Sequence, residues 1–293
     1  MNTCMKYSQS MTRIHGAARR LKIFPALLLG FSLAGCVSSP KATKPTSKID
    51  KLNERAIAFH ERRCLNDAST FYRQVLALDP PKEPSPAQIA AVMKFAPRLY
   101  TIAHEFFPLN DVVAIIHPDK PIIGYHLFWG DDIDFPDDHD PTDHEIVWVE
   151  YDPASQEVRE VYTYFHDHIL RTDEAPANAN ANQRRAWVGV EWGKHGSLPW
   201  DAAGLLTGEP NSLLKEDWQI LSTKGIRRPD HPLARAWPSR FPGDFDAYRS
   251  FTMLVDPSRL LEQKKMITVS RWANAVIDEN FLPYNFAPKT EWP

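Results

Sequence analysis

Residues 121–129 read Pro-Ile-Ile-Gly-Tyr-His-Leu-Phe-Trp, and residues 145–151 read Glu-Ile-Val-Trp-Val-Glu-Tyr. Both are short apolar runs rich in β-branched and aromatic side chains, and turn-forming Pro, Asp or Gly bounds them, so each reads as a strand. Two further runs, Val158 to Leu170 and Ala186 to Trp192, have the same character. Residues 145–151 and 186–192 are apolar on both faces or nearly so, which a sheet covered on both sides requires. Two sheets facing each other then make a mainly β, sandwich-like body whose core the aromatic residues supply.

Outward from these strands the pattern changes. Residues 49–94 form a small helical segment: Leu52, Ala56, Phe59, Cys64, Phe71, Val75 and Leu78 recur near helical spacing, with a break at Asn66 to Ser69, and Ser85-Pro86 opens a further short helix up to Phe95. Residues 95–293 make up the β-body with a C-terminal helical extension. Asn178 to Asn182 reads as a low-complexity loop unable to pack. Polar, Pro-rich loops follow Pro199, and one helix is expected from Pro257 to about Ile277, packed across the sheet through Leu260, Leu261, Ile267, Trp272, Ala275 and Val276.

The N-terminus carries Lys6, Arg13, Arg19, Arg20 and Lys22 with no acidic residue before Cys36, then an apolar run from Ile23 to Leu33. That run is short of the ~20 residues a membrane-spanning helix needs, and Ala34-Gly35 suits cleavage, so residues 1–35 read as an export signal. Leu33-Ala34-Gly35-Cys36 resembles the lipobox of bacterial lipoproteins, which implies cleavage before Cys36 and lipidation of its thiol. Residues 36–48 form a solvated tether rich in Ser, Thr, Pro and Lys. Val37 after the cysteine resembles default sorting to the outer membrane, with the periplasmic side expected and the inner membrane as the alternative. Of 34 basic residues, the signal removes five, which leaves 29 against 37 acidic ones and a net charge of about −8. Nucleic acid is excluded as a partner on that charge. Cys64 is left as the one remaining thiol, so no internal disulfide is expected.

Three polar clusters interrupt the strands. Gly130 to Glu145 holds seven aspartates, two histidines and a glutamate, including Asp132, Asp134, Asp143, His144 and Glu145. Crowded carboxylates repel unless solvated or bound to a cation, and the spacing is not that of an EF-hand. Oxygen donors favour Ca²⁺, Mg²⁺ or Mn²⁺ ahead of Zn²⁺, although an imidazole ligand shifts the balance toward Mn²⁺ and Zn²⁺. The second cluster is His166 and His168, which strand alternation places on one face. The third is Val190 to Pro199, which includes Glu191 and where Gly193 and Gly196 permit a tight turn around His195 and Ser197. That turn lacks the strand-to-helix elbow that a nucleophilic Ser197 with His195 as base requires. His126, on the first strand, belongs either to the core or to the site.

The succession Phe95–Tyr100, Glu105 with Pro108, Tyr125–Trp129, Asp143–Val149, Val161–His166 and Val188–Pro199 resembles the Vps62-related proteins, which are in turn similar to the necrosis-inducing, NPP1-like proteins. The resemblance spans residues 95–199 and implies a β-sandwich. It also implies a divalent-cation pocket that engages sugar head groups of membrane lipids, with Asp143 and Glu145 on the motif's carboxylates and His195 on the histidine of the later turn. The Gly-His-Arg-His-Asp-Trp-Glu form is absent and His144 stands where its Trp would be, so cytolytic activity is not implied. The functional expectation is a non-catalytic envelope lipoprotein that binds a divalent cation at Asp143, Glu145, His166, His168 and His195. His126, Asp132, Asp134, His144 and Glu191 stand around that set, and the ion recruits a carbohydrate or polar envelope component. The alternatives are a metal-dependent hydrolase, with His144 or His195 shuttling protons, and a structural lipoprotein that docks a protein partner.

Overall fold

The computed structural model describes residues 47–133, 142–200, 209–224, 237–281 and 286–293. The helical segment is α1 (Lys48–His60), α2 (Leu65–Leu78) and α3 (Pro86–Phe95). Two capping boxes start α1 and α3. Ser47 accepts from Asp50 N–H while Asp50 accepts from Ser47 N–H, and Ser85 with Gln88 repeats the exchange ahead of Pro86.

The β-body has two sheets. The first contains six strands in the order β10–β2–β3–β4–β5–β6: β2 (Leu109–Ile116), β3 (Ile122–Trp129), β4 (Asp143–Tyr151), β5 (Val158–Phe165), β6 (His168–Leu170) and β10 (Ile267–Val269). The second contains four in the order β8–β7–β1–β9: β1 (Arg98–Ile102), β7 (Trp187–Val190), β8 (Ser197–Pro199) and β9 (Phe251–Val255). Most neighbours are antiparallel, but β1 with β7 and β2 with β10 are parallel, so both sheets are mixed.

All eight residues of β3 are buried. Tyr125, Leu127 and Trp129 face the inter-sheet core with Val147 and Val149 of β4, Val188 and Val190 of β7, and Leu99 of β1. The opposite face carries Phe128, which packs with Val113 and Ile115 of β2 under α1, α2 and the C-terminal α8 (Ala273–Asn280). Each large apolar side chain so buried contributes about 1.5–3 kcal/mol. This is the mainly β, sandwich-like architecture with N-terminal and C-terminal helices that the sequence predicts, and the double burial explains why β3 does not alternate.

Three expectations are corrected. Residues 178–182 largely belong to α4 (Glu174–Ala181): Ala175 and Ala179, one turn apart, are buried, and the Asn180 amide accepts from Val158 N–H and donates to its carbonyl at 2.9 Å. The single helix expected over residues 257–277 is three elements, α7 (Ser258–Lys264), β10 and α8. Lys265 ends α7 in the left-handed conformation (φ 52°), and the β-branched Ile267-Thr268-Val269 pairs with β2 instead of continuing the helix. The break between the first two helices falls at residues 61–64, because Asn66 to Ser69 lie inside α2.

The C-terminal residues 286–293 cross the helical face. Phe286 packs on His60 and Phe128, the Asn274 amide exchanges hydrogen bonds with the Lys289 backbone, and the Glu291 carboxylate accepts from Asn53 and from Asn274 N–H. Among the described residues no helix is long and apolar enough to cross a membrane. The expected signal, Cys36 and nearly all of the tether lie outside the described residues.

Candidate functional site

The end of β3, the start of β4, the end of β5 and the end of β7 meet at one rim of the sandwich. Antiparallel pairing sets Trp129 opposite Asp143 and Leu127 opposite Glu145. Alternation along β4 then turns Asp143 and Glu145 toward the inter-sheet side and His144 away from it.

Above Asp143 lies His195, fully buried and stacked on the Trp129 indole at 4.3 Å with the rings 4° from parallel. Its Nδ1 is 2.8 Å from Asp143 Oδ2, and its Nε2 is 3.5 Å from Glu105 Oε1. Glu105, in the segment after β1, accepts from Phe106 and Phe107 N–H through Oε1 and from Gly193 N–H through Oε2, at 2.7–2.9 Å. Gly193 adopts φ +67°, which this approach needs. Burial opposes a charge on His195, but Glu105 and Asp143 outweigh it and push its pKa up to about 10. At Glu105 burial favours the neutral acid, yet His195 and the backbone N–H groups hold the carboxyl below its usual range. Beside them the Lys289 ammonium sits 3.6 Å from Glu145 Oε1 and 4.4 Å from the centre of the Tyr164 ring. Burial pushes the Glu145 carboxyl well above the carboxylate range, against Lys289 and with Asp143. Burial also works against the Lys289 charge, but Glu145, Asp143 and Asp167 raise its pKa, and we hold to that direction because three acidic groups face a single ammonium.

A second cluster lies across the β7–β8 turn. The expected continuous strand from 158 to 170 is a hairpin, with Phe165 paired to His168 and His166-Asp167 as its two-residue turn. Both turn residues have positive φ, 44° and 64°, the geometry such a turn demands and one that non-glycine residues adopt at a cost. The turn aims His166 Nε2 at Glu191 Oε2, 2.7 Å away, and at Asp217 Oδ2 of α5 (Glu209–Gln219), 3.4 Å away. The remaining Glu191 oxygen accepts from Tyr248 Oη at 2.9 Å, on the short helix α6 (Phe245–Tyr248). Glu191 and Tyr248 are fully buried, whereas the His166 side chain keeps 27% of its exposure and Asp217 keeps 20%. One ligand atom from each of His166, Glu191 and Asp217 lies within 4.8 Å of the other two. Among the described residues no other group of three or more His, Cys, Asp or Glu converges this way. Burial and the Glu191 charge push Asp217 up to about 7. Burial works against the His166 charge, but its hydrogen bond and ion pair with Glu191 raise its pKa.

The sequence-predicted site residues are therefore divided. Asp143 and His195 are joined; Glu145 is beside them on Lys289; His166 and Glu191 are joined elsewhere. His168 is exposed at the start of β6, because the intervening turn defeats the alternation that placed it with His166. His126 and His144 are core residues on the opposite face: His144 Nδ1 donates to the Ala287 carbonyl at 2.9 Å, so its Nε2 accepts from His126 Nδ1 at 3.0 Å. Asp132 follows β3, and Asp134 lies outside the described residues. Ser197 Oγ is buried and donates to the His195 carbonyl at 3.4 Å, while the His195 ring faces two carboxylates, so the pair is no nucleophile and base. Sequence reading missed the parts of Glu105, Asp217, Tyr248 and Lys289.

No family model matches this chain, and no curated protein does. A solved structure is similar to part of it: the necrosis and ethylene inducing protein 2 from the causal agent of witches' broom disease of cocoa, 14% identical, covering 41% of this chain and 73% of that one with a TM-score of 0.27. At that score the likeness carries no role from that protein to this chain.

Gly196 holds the two clusters in register. A Cβ there would lie 2.7 Å from the Phe165 ring and 3.2 Å from Glu191 Oε2. Gly196→Ala is expected to destabilise the protein by about 1–3 kcal/mol, the usual cost of overpacking a filled core. Urea unfolding that matches the unmodified protein would show that this rim yields without strain.

Proposed function

We propose that this chain is a lipoprotein, anchored through Cys36 on the periplasmic side of the bacterial outer membrane, that binds a divalent cation at His166, Glu191 and Asp217. Through the ion it recruits a carbohydrate or other polar envelope component without catalysis. The observation that carries the reading is the convergence of those three donors from the β5–β6 turn, the end of β7 and α5, with that turn held at two positive φ angles. Strained non-glycine backbone persists where the surroundings over-determine it, and such places concentrate at ligand sites.

The donor set suits the ion. One imidazole with two carboxylates favours Mn²⁺ over Ca²⁺ and Mg²⁺, which prefer oxygen alone. Glu191 is oriented by Tyr248 from behind, the support that ligating carboxylates ordinarily receive. Three protein donors leave positions of a six-coordinate ion for ligand oxygens, on the side where His166 and Asp217 reach solvent. The anchor rests on the basic segment, the short apolar run and the Leu-Ala-Gly-Cys sequence before residue 37.

Calorimetric titration of Mn²⁺, Zn²⁺, Ca²⁺ and Mg²⁺ into the full mature chain in detergent tests the ion. One Mn²⁺ per chain is expected, with affinity at least roughly 10–100-fold lower in His166→Asn. Asparagine tolerates the left-handed turn, so the hairpin survives the substitution. Absence of binding, or binding that ignores His166→Asn, defeats the reading.

A further inference from the structure

We infer that Asp143 and Glu145, where the family resemblance calls for a divalent ion, belong with Glu105 instead to an ion network made wholly of protein, with His195 and Lys289 supplying its positive charges. A histidine that ligates a metal presents a bare nitrogen to it and donates its other N–H to a supporting acceptor. Neither nitrogen of His195 lies away from a carboxylate. Asp143 accepts from Nδ1 at 2.8 Å, and Glu105 Oε1 stands 3.5 Å from Nε2, an ion-pair contact without a hydrogen bond; an ionised carboxylate on each side of the ring favours the doubly protonated imidazolium over a metal ligand. Glu105 has both oxygens committed to backbone N–H groups, and Glu145 turns one oxygen to the Lys289 ammonium.

Lys289 is not a passing surface charge. The Asn274 side chain holds its backbone at both N–H and carbonyl, at 3.2 and 2.8 Å, and the Tyr164 ring supports its ammonium. Only 14% of its side chain is exposed. The imidazolium and the ammonium together carry the two positive charges that a divalent ion would bring, and they come from segments 94 residues apart in number, the β7–β8 turn and the C-terminal strap. The oxygens accordingly point at two separate nitrogen centres and do not converge on a single point.

The inference is independent of the ion proposed at His166. Titrating Mn²⁺ into the full mature chain and its Asp143→Asn, Glu145→Gln and His166→Asn variants, with folding checked by circular dichroism, separates the two. Asp143→Asn and Glu145→Gln are expected to leave stoichiometry and Kd within roughly twofold of the unmodified protein, because neither carboxylate is among the three converging donors. A tenfold or greater weakening in either folded variant overturns the network. Should these variants fail to fold, nitrogen-15 spectra of histidine-labelled unmodified chain decide. Two protonated ring nitrogens on His195 at neutral pH, unchanged by Zn²⁺, support the network, and a bare nitrogen or a Zn²⁺-induced change at it refutes it. If the unmodified chain takes up no ion, the proposal at His166, Glu191 and Asp217 fails, and the spectra still settle His195.

Discussion

His195→Leu is expected to cost about 3–5 kcal/mol of folding stability, the range for removing one partner of a buried charge set and leaving the others uncompensated. Leucine fills most of the space against Trp129, so the loss isolates the charge from the cavity. What remains is Glu105, 7% exposed, and Asp143, 12% exposed, each facing an apolar side chain where an imidazolium had been. Total stability for a domain is about 5–15 kcal/mol, so this single change removes a large part of it. For a body of this size the midpoint of thermal unfolding should fall by roughly 6–20 °C. Glu105→Gln in the same chain should restore part of the loss, because the amide needs no counter-charge, although it gives up charge-assisted bonds from Phe106, Phe107 and Gly193 N–H. Urea unfolding of the two single variants and the double variant measures the coupling. A cost below ~1 kcal/mol for His195→Leu would place this histidine among ordinary surface ion pairs and sink the account.

The strands were legible because their chemistry is local. β3 and β4 are buried on both faces, which a run such as Ile-Val-Trp-Val announces without reference to any partner. The helix expected over 257–277 failed for the same locality: apolar residues at helical spacing exist there, but β10 is a three-residue strand whose existence depends on β2, about 150 positions upstream. The site divides along the same line. His166 and His195 stood out as histidines beside strands. Their partners did not, because Asp217 looks like any acid of a polar helix, Glu105 earns its part only when Gly193 and His195 arrive 88 and 90 residues later, and Lys289 has no local mark at all. His166 and His168 share a face only on an unbroken strand, and the chain makes a two-residue turn there.

Stability should also fall as pH rises from about 6.5 to 10, and His195 should account for a slope of about 1.4 kcal/mol per pH unit, roughly 5 kcal/mol in all. The sign follows from its direction of shift. In the unfolded chain a histidine loses its proton near 6.5, whereas burial notwithstanding, Glu105 and Asp143 hold the folded His195 protonated up to about 10. Between those values the folded state binds one proton more than the unfolded state, so the contribution is complete below 6.5 and is lost as pH rises through 10. His60 and His126 do not contribute in this window: burial first, with Arg63 assisting at His60, lowers them to about 4 and 3, so above 6.5 they are neutral in both states. Asp217, raised to about 7 by burial and Glu191, slopes in the same direction only near the lower end, and Glu145, raised by burial, adds to the fall until its own proton leaves. The difference between the unmodified protein and His195→Leu therefore carries the test, measured by urea unfolding at several pH values between 7 and 9.5. The variant, already less stable at pH 7, should lose less on going to 9.5, and the two stabilities should approach each other. Parallel curves would mean that His195 is neutral in the folded protein, and the carboxylates around it would then need another source of positive charge.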